Sequence, residues 1–377
     1  MASIRAGGGR GKAERAVGYA VVGLGHIAQV AVLPAFAHAR GSSRLAALVS
    51  GDSRKRQALG KQYGVPAFRY EDLDEVLARE DVDAVYVALP NSMHKDCALR
   101  AARAGVHVLT EKPMATSEAD CLAMIRAAEE SDVRLMVAYR LHFEPANLEA
   151  QQVAWSGRIG TPRFFSSSFS YQVKAENIRT QAPLGGGAIW DLGVYCINAA
   201  RYLFRAEPVE VMAMAAEGRD PRFAQIHEAW SALLRFPDER LAAFTCSFGA
   251  AATGTYRLVC TKGEVHLDPA YEYAGELVRY LTVGEKTSRK PYPRKDQFAP
   301  ELKHFSDCVL AGREPEPSGW EGLADVRVIE AVLRSAREHR PVTVEPVERT
   351  QRPSRALEQR VPPVEKPEEV GVQPPHD

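Results

Sequence analysis

An unbroken apolar run at residues 19–22 leads straight into Gly23-Leu24-Gly25-His26-Ile27-Ala28, and a helical pattern follows at once. A strand, a GxGxxA turn and a helix in that order fit little else than a dinucleotide-binding βαβ unit. The first Gly makes the tight turn, the second admits the pyrophosphate, and the small third residue lets helix and strand pack closely. The helix start then offers unpaired N–H groups to phosphate. Further strand-like runs at 45–49, 84–89, 107–109 and 135–138 alternate with amphipathic stretches, the pattern of a parallel sheet covered by helices. After Arg140 the pattern changes. Beta-like runs at 209–215, 229–235, 241–248, 256–260 and 264–267 have no helices between them and predict a large, mostly antiparallel sheet. The fold class is therefore α/β, with an N-terminal Rossmann domain and a C-terminal α/β domain carrying an open sheet.

The expected organisation is a flexible arm over 1–17, a nucleotide domain over 18–140, a substrate and dimerisation domain over 141–345, and a disordered tail over 346–377. The tail is rich in Pro, Glu and Arg without periodicity. The 377 residues exceed what one core usually holds. Lys plus Arg equals Asp plus Glu at 48 each, so no net field draws the chain to nucleic acid or an anionic membrane, and a small-molecule partner is expected. Six scattered cysteines without a CxxC pair read as reduced core residues rather than metal ligands, and no metal is expected. With no secretory h-region and no apolar run of membrane-spanning length, the expected location is the cytoplasm.

The end of the second strand bears on the choice between NAD and NADP. A carboxylate there binds the adenosine ribose and repels a 2′-phosphate. Here Ser50 takes that place, and Arg54, Lys55 and Arg56 follow, which favours NADP; Asp52 keeps NAD open. Leu89-Pro90-Asn91 with His94, and Glu111-Lys112-Pro113, follow two further strands and should face the cofactor crevice. Lys112 reads as a cation near the nicotinamide or as a surface lysine. In Gly185-Gly186-Gly187 through Tyr195, the three glycines would let the chain approach a ligand, and helical spacing puts Asp191 and Tyr195 on one face. A helix-start carboxylate and a core aromatic are equally good readings of that pair.

Taken in order, GLGxxA, ALPNSMH, EKPMA and GGGxxxDxGxY resemble the glucose-fructose oxidoreductase, inositol dehydrogenase and rhizopine-catabolism (Gfo/Idh/MocA) family over about residues 18–345. Tyr195, where most members carry His, resembles the glucose-fructose and aldose oxidoreductase branch. The resemblance implies that Lys112, Asp191 and Tyr195 are the catalytic set and that Ser50 and Lys55 bind the 2′-phosphate. Gly23, Leu24, Gly25, His26, Ile27, Leu89, Pro90, Asn91, His94, Glu111, Arg140 and Arg179 would line the cofactor or substrate. It also implies a homodimer or homotetramer formed through the C-terminal sheet. The segment before the first strand is shorter than the arm of that branch, implying a cofactor that exchanges. The activity implied is transfer of hydride between NADP and C1 of an aldose, with Tyr195 as base and Lys112 stabilising its phenolate. A cyclic-polyol dehydrogenase and a cofactor-sensing regulator without turnover are the alternatives.

Overall fold

The computed structural model describes residues 16–349, 351–365 and 367–376. Most of the arm expected over 1–17 lies outside these residues, and Val17 already opens the first strand. Six parallel strands, β1 (Val17–Val22), β2 (Ser43–Val49), β3 (Ala67–Phe68), β4 (Ala84–Val87), β5 (His107–Glu111) and β6 (Leu135–Ala138), form a sheet in the order β3-β2-β1-β4-β5-β6. β1, β4 and β6 are buried along their whole length, so they read as continuous apolar runs, as strands covered on both faces do. The order reverses between β1 and β4, which opens a crevice beyond their carboxyl ends.

The second sheet has nine strands: β7 (Pro162–Ser170), β8 (Glu210–Ala216), β9 (Ala229–Phe236), β10 (Arg240–Ser247), β11 (Thr253–Cys260), β12 (Gly263–Leu267), β13 (Leu277–Val283), β14 (Lys286–Tyr292) and β15 (Val342–Thr343). Their order is β14-β13-β12-β11-β7-β10-β9-β8-β15, and only the β7–β10 pair is parallel. Helices Pro145–Trp155, Val194–Phe204 and Gly319–Glu338 pack against this sheet. On its open face Phe164, Leu233, Leu241 and Met214 are exposed, Met214 at 72%. All six cysteines are buried and free. Among the described residues, no helix is long and apolar enough to cross a membrane.

Two expectations about the chain's later part are corrected. Helix Ala299–Ala311, expected in the second domain, returns to cover the first sheet: Ser306 Oγ meets Tyr19 Oη at 2.8 Å and Ser43 Oγ at 2.7 Å, and Phe305 joins the same core. The expected disordered tail is instead laid against the protein over 351–365 and 367–376. Arg352 pairs with Glu207 at 2.7 Å, Val361 is buried, and Val370 bonds Gln29. Its partners are distant in sequence, so composition alone could not reveal them.

Candidate functional site

Gly23 ends β1 with φ +99°, and a Cβ there would lie 2.3 Å from the Ala88 carbonyl, so only glycine fits. A Cβ on Gly25 would meet no atom within 4 Å. The turn thus has a required glycine packed against β4 and a second one facing open space, which suits a pyrophosphate cradle. Of the next residues, Leu24 is buried, while His26 and Ile27 begin the helical segment that passes through the π turn Ala28–Val32. At the end of β2, Ser50 is buried and its Oγ accepts from Asp52 N at 3.2 Å. The Asp52 carboxylate caps helix Ser53–Tyr63, accepting from Arg54 N and Lys55 N. These backbone bonds hold its carboxyl below the usual range despite some opposing desolvation. Asp52 is thereby engaged by the helix start, and Lys55 lies on the first turn beside it.

The loop after β4 is tied to its surroundings. Asn91 Nδ2 donates to the Gly185 carbonyl at 2.8 Å. His94 is fully buried, with its ring nitrogens 3.0 Å from the carbonyls of Leu89 and Pro113. His94 therefore joins the β4 and β5 loops from inside rather than lining the crevice. The glycine triplet likewise packs on protein: a Cβ on Gly186 would stand 2.5 Å from the Arg179 carbonyl.

Lys112, at the carboxyl end of β5, reaches across to the second domain. Its Nζ donates to Asp191 Oδ1 at 3.0 Å and to the Asp191 carbonyl at 3.1 Å. Asp191 Oδ2 accepts from Tyr171 Oη at 2.7 Å and from Arg179 Nε at 2.9 Å. Burial disfavours the carboxylate, but Arg179 and Lys112 outweigh it and hold Asp191 far below the ordinary carboxyl range. Burial would also discharge Lys112, yet Asp191 and its neighbours raise its pKa, so it is an ammonium at neutral pH. Asp191 sits in a π turn, Ile189–Gly193, that runs into helix Val194–Phe204; such wide turns recur at functional sites. Tyr195 follows on this helix. Lys112 Nζ lies 4.7 Å from its ring centre and Arg140 Cζ 5.1 Å away, so two cations face one phenol. Arg140, after β6, is anchored by Gln297 Oε1 and the Tyr271 carbonyl, both at 2.6 Å.

Glu111 lies beneath Lys112, accepting from Tyr86 Oη at 2.8 Å, and burial raises its pKa. The structure thus brings Lys112, Asp191, Tyr195, Arg140 and Arg179 to one point, and groups the Gly23–Ile27 turn, Ser50, Lys55, Leu89, Pro90 and Asn91 at the carboxyl edge of the same sheet. Sequence reasoning missed Tyr171 and Tyr273 as site residues. Neither stands in a motif, and only the fold brings Tyr171 onto Asp191 and Tyr273 to 5.4 Å from Arg140.

Residues 17–139 match the oxidoreductase family with an NAD-binding Rossmann fold, and residues 147–266 match the GFO/IDH/MocA C-terminal domain. The aldose-aldose oxidoreductase from Caulobacter crescentus, solved with glycerol, is 41% identical with a TM-score of 0.84, over 88% of this chain and 100% of that one. The D-xylose 1-dehydrogenase (NADP(+)) 2 of Haloferax volcanii is 30% identical over 84% of this chain and 97% of the relative. A 3-ketoreductase from Actinomadura kijaniata, solved with NADP and TDP-benzene, is 29% identical with a TM-score of 0.77, over 85% of this chain and 98% of that one. With both domains matched and this arrangement of side chains, the chain belongs to the Gfo/Idh/MocA family of NAD(P)-dependent oxidoreductases.

Proposed function

We propose that this protein is an NADP-dependent oxidoreductase that oxidises C1 of a cyclic aldose to the lactone, or runs the reverse reaction. The observation that carries this reading is the meeting of Lys112, Asp191 and Tyr195, drawn from two domains, at the carboxyl edge of the nucleotide-binding sheet. A nicotinamide held in the crevice supplies the hydride acceptor. Tyr195 takes the proton of the C1 hydroxyl, with Lys112 and Arg140 both facing its ring. Asp191 fixes both Lys112 and Arg179. A carboxylate has about four acceptor sites, and the three side-chain donors leave Oδ1 one for a sugar hydroxyl. The named activities of the Caulobacter and Haloferax relatives support an aldose.

Ser50 and the cations of Arg54 and Lys55, with Asp52 engaged as a cap, favour the 2′-phosphate of NADP over NAD. The exposed apolar face bearing Phe164, Leu233 and Leu241 suits pairing with a second copy, as a homodimer or within a homotetramer. Six buried free thiols accord with a reducing cytoplasm.

The test is absorbance at 340 nm when the protein is mixed with NADP or NAD and a panel of aldoses and cyclic polyols, with lactone formation followed in parallel. Reduction of NADP by aldoses with lactone as product is expected. Lys55→Ala should weaken NADP by about 10-fold or more, the scale of a charge-assisted hydrogen bond, and leave NAD nearly unchanged. Turnover of inositols alone would move the assignment to a polyol dehydrogenase, and binding without turnover to a sensor.

A further inference from the structure

The C-terminal segment crosses the crevice that the two domains form. Glu369 Oε2 meets His26 Nδ1, in the glycine turn, at 2.8 Å. One helical turn on, Gln29 and Val370 bond reciprocally: Val370 N donates to Gln29 Oε1 at 2.7 Å, and Gln29 Nε2 donates to the Val370 carbonyl at 3.0 Å. Gln29 is 1% exposed, so this pair is sheltered from water, and the same Nε2 also donates to the Leu24 carbonyl within the glycine turn. Gly371 then passes the proposed 2′-phosphate end; a Cβ there would lie 3.5 Å from Lys55 Cε and 3.7 Å from an Arg54 guanidinium nitrogen. The segment continues to the second domain, where Lys174 N donates to the Pro375 carbonyl at 2.8 Å and the His376 ring lies 4.5 Å from that of Tyr171. Tyr171 is the residue that bonds Asp191.

The segment is therefore fastened to the nucleotide-binding turn and to the neighbourhood of the catalytic cluster, and passes close to the basic end of β2 between them. It nevertheless leaves the space over Gly25 clear, although its anchors His26 and Gln29 are close by in the same turn and helix. The glycine that admits the pyrophosphate is therefore left open. We propose that residues 369–376 form a strap over the dinucleotide crevice, part of the binding site, that must detach before the cofactor can leave. This rests on the dinucleotide reading above. The anchors on both domains make detachment cost several hydrogen bonds at once, so the strap acts on the rate of release.

The experiment compares the full-length protein, a chain ending at Lys366, and full-length Val370→Pro, which removes the N–H given to Gln29 while the rest of the strap stays. NADPH is bound and chased with excess NADP, and its release is followed by fluorescence. Thermal unfolding checks that each variant is folded. Truncation should speed release by about 10-fold or more, the scale of losing two or three hydrogen bonds, with Val370→Pro between truncated and parent protein. Equal release rates would overturn the strap. So would tighter binding by the truncated protein at an unchanged release rate, which would mean that the segment competes with the cofactor. Failure of both full-length and truncated chains to bind NADPH or NADH would overturn the dinucleotide reading itself, and the strap with it.

Discussion

Arg201 and Lys112 are both cations held against carboxylates, yet one is sealed and the other open. The Arg201 side chain is 0% exposed and meets Glu207 at 2.5 Å, Glu321 at 2.7 Å and Asp325 at 2.6 Å. Asn198 bonds the last two carboxylates, and Arg349 and Arg352 close the cluster from outside. Its anchors are the two helices Val194–Phe204 and Gly319–Glu338 and the chain just after β15. Lys112 and Asp191 are 12% and 18% exposed and come from strand and helix ends of different domains. The same kinds of group make a brace in one place and a reactive site in the other. Charge pairing and burial do not distinguish them; access and a proton-carrying neighbour do. His142 illustrates the point: it is buried against Asn198 as part of the brace, and burial lowers its pKa to about 4.

The sharpest way to separate the clusters is to remove one hydroxyl from the open one. Tyr195→Phe keeps the ring between Lys112 and Arg140 but loses the group that takes the proton. Single-turnover hydride transfer should fall by about 10² to 10⁴. Cofactor affinity and the unfolding midpoint should hold. A variant retaining most of the parent rate would make Tyr195 a packing residue and overturn its assignment as the base.

In the sealed cluster the outcome should invert. Arg201→Met leaves Glu207, Glu321 and Asp325 buried without their shared cation, and breaking such a cluster from one side costs about 3 to 5 kcal/mol. Urea unfolding should show that loss, while the rate of hydride transfer per folded molecule stays near the parent value. A stability change below ~1 kcal/mol would mean that Arg349 and Arg352 suffice to hold the carboxylates.

The nucleotide turn was legible because much of its chemistry is local: Gly23 takes φ +99°, a conformation that favours glycine. The rule that ligands gather at the carboxyl ends of parallel strands put Lys112 at the crevice, whereas its grouping with Asp191 and Tyr195 came from the family resemblance and not from their spacing. What stayed hidden depends on distant partners. β7 has four serines among its nine residues and does not read as a strand, yet it lies mid-sheet because Ser167 Oγ bonds Tyr271 Oη at 2.7 Å and the Thr255 carbonyl at 3.0 Å. β14 is an edge strand with six of seven residues exposed, so it shows no apolar face. The chain beyond β15 has the composition of a solvated tail, but Arg349 and Arg352 join buried carboxylates and Val370 finds Gln29. The expectation of an easily exchanged cofactor considered only the N-terminal end; the proposed strap predicts slow release from the other.

The smallest expected effect concerns buried carboxyls that belong to neither cluster. Glu301 is 0% exposed, and neither of its oxygens has a hydrogen-bond partner among the described residues. Burial first, then the nearby Glu111, push its pKa well above the ordinary value, and Arg140 only partly opposes them. Glu301 therefore folds as the neutral acid. In the unfolded chain it ionises near pH ~4.3. Above that pH the folded protein holds a proton that the unfolded chain has released, so this group makes stability fall as pH rises, by at most ~1.4 kcal/mol per pH unit, until the folded pKa is reached. Asp191 has the opposite sign: its depressed pKa contributes stability above about pH 4, lost as the pH drops below it. Glu301→Gln cannot ionise and should remove the first effect only. Urea unfolding of parent and variant from pH 4.5 to 7 should therefore give a stability difference that shifts steadily in the variant's favour as pH rises. Parallel curves would mean that Glu301 is charged in the folded protein and that Arg140 serves it as a counterion, which would make it a third paired cluster.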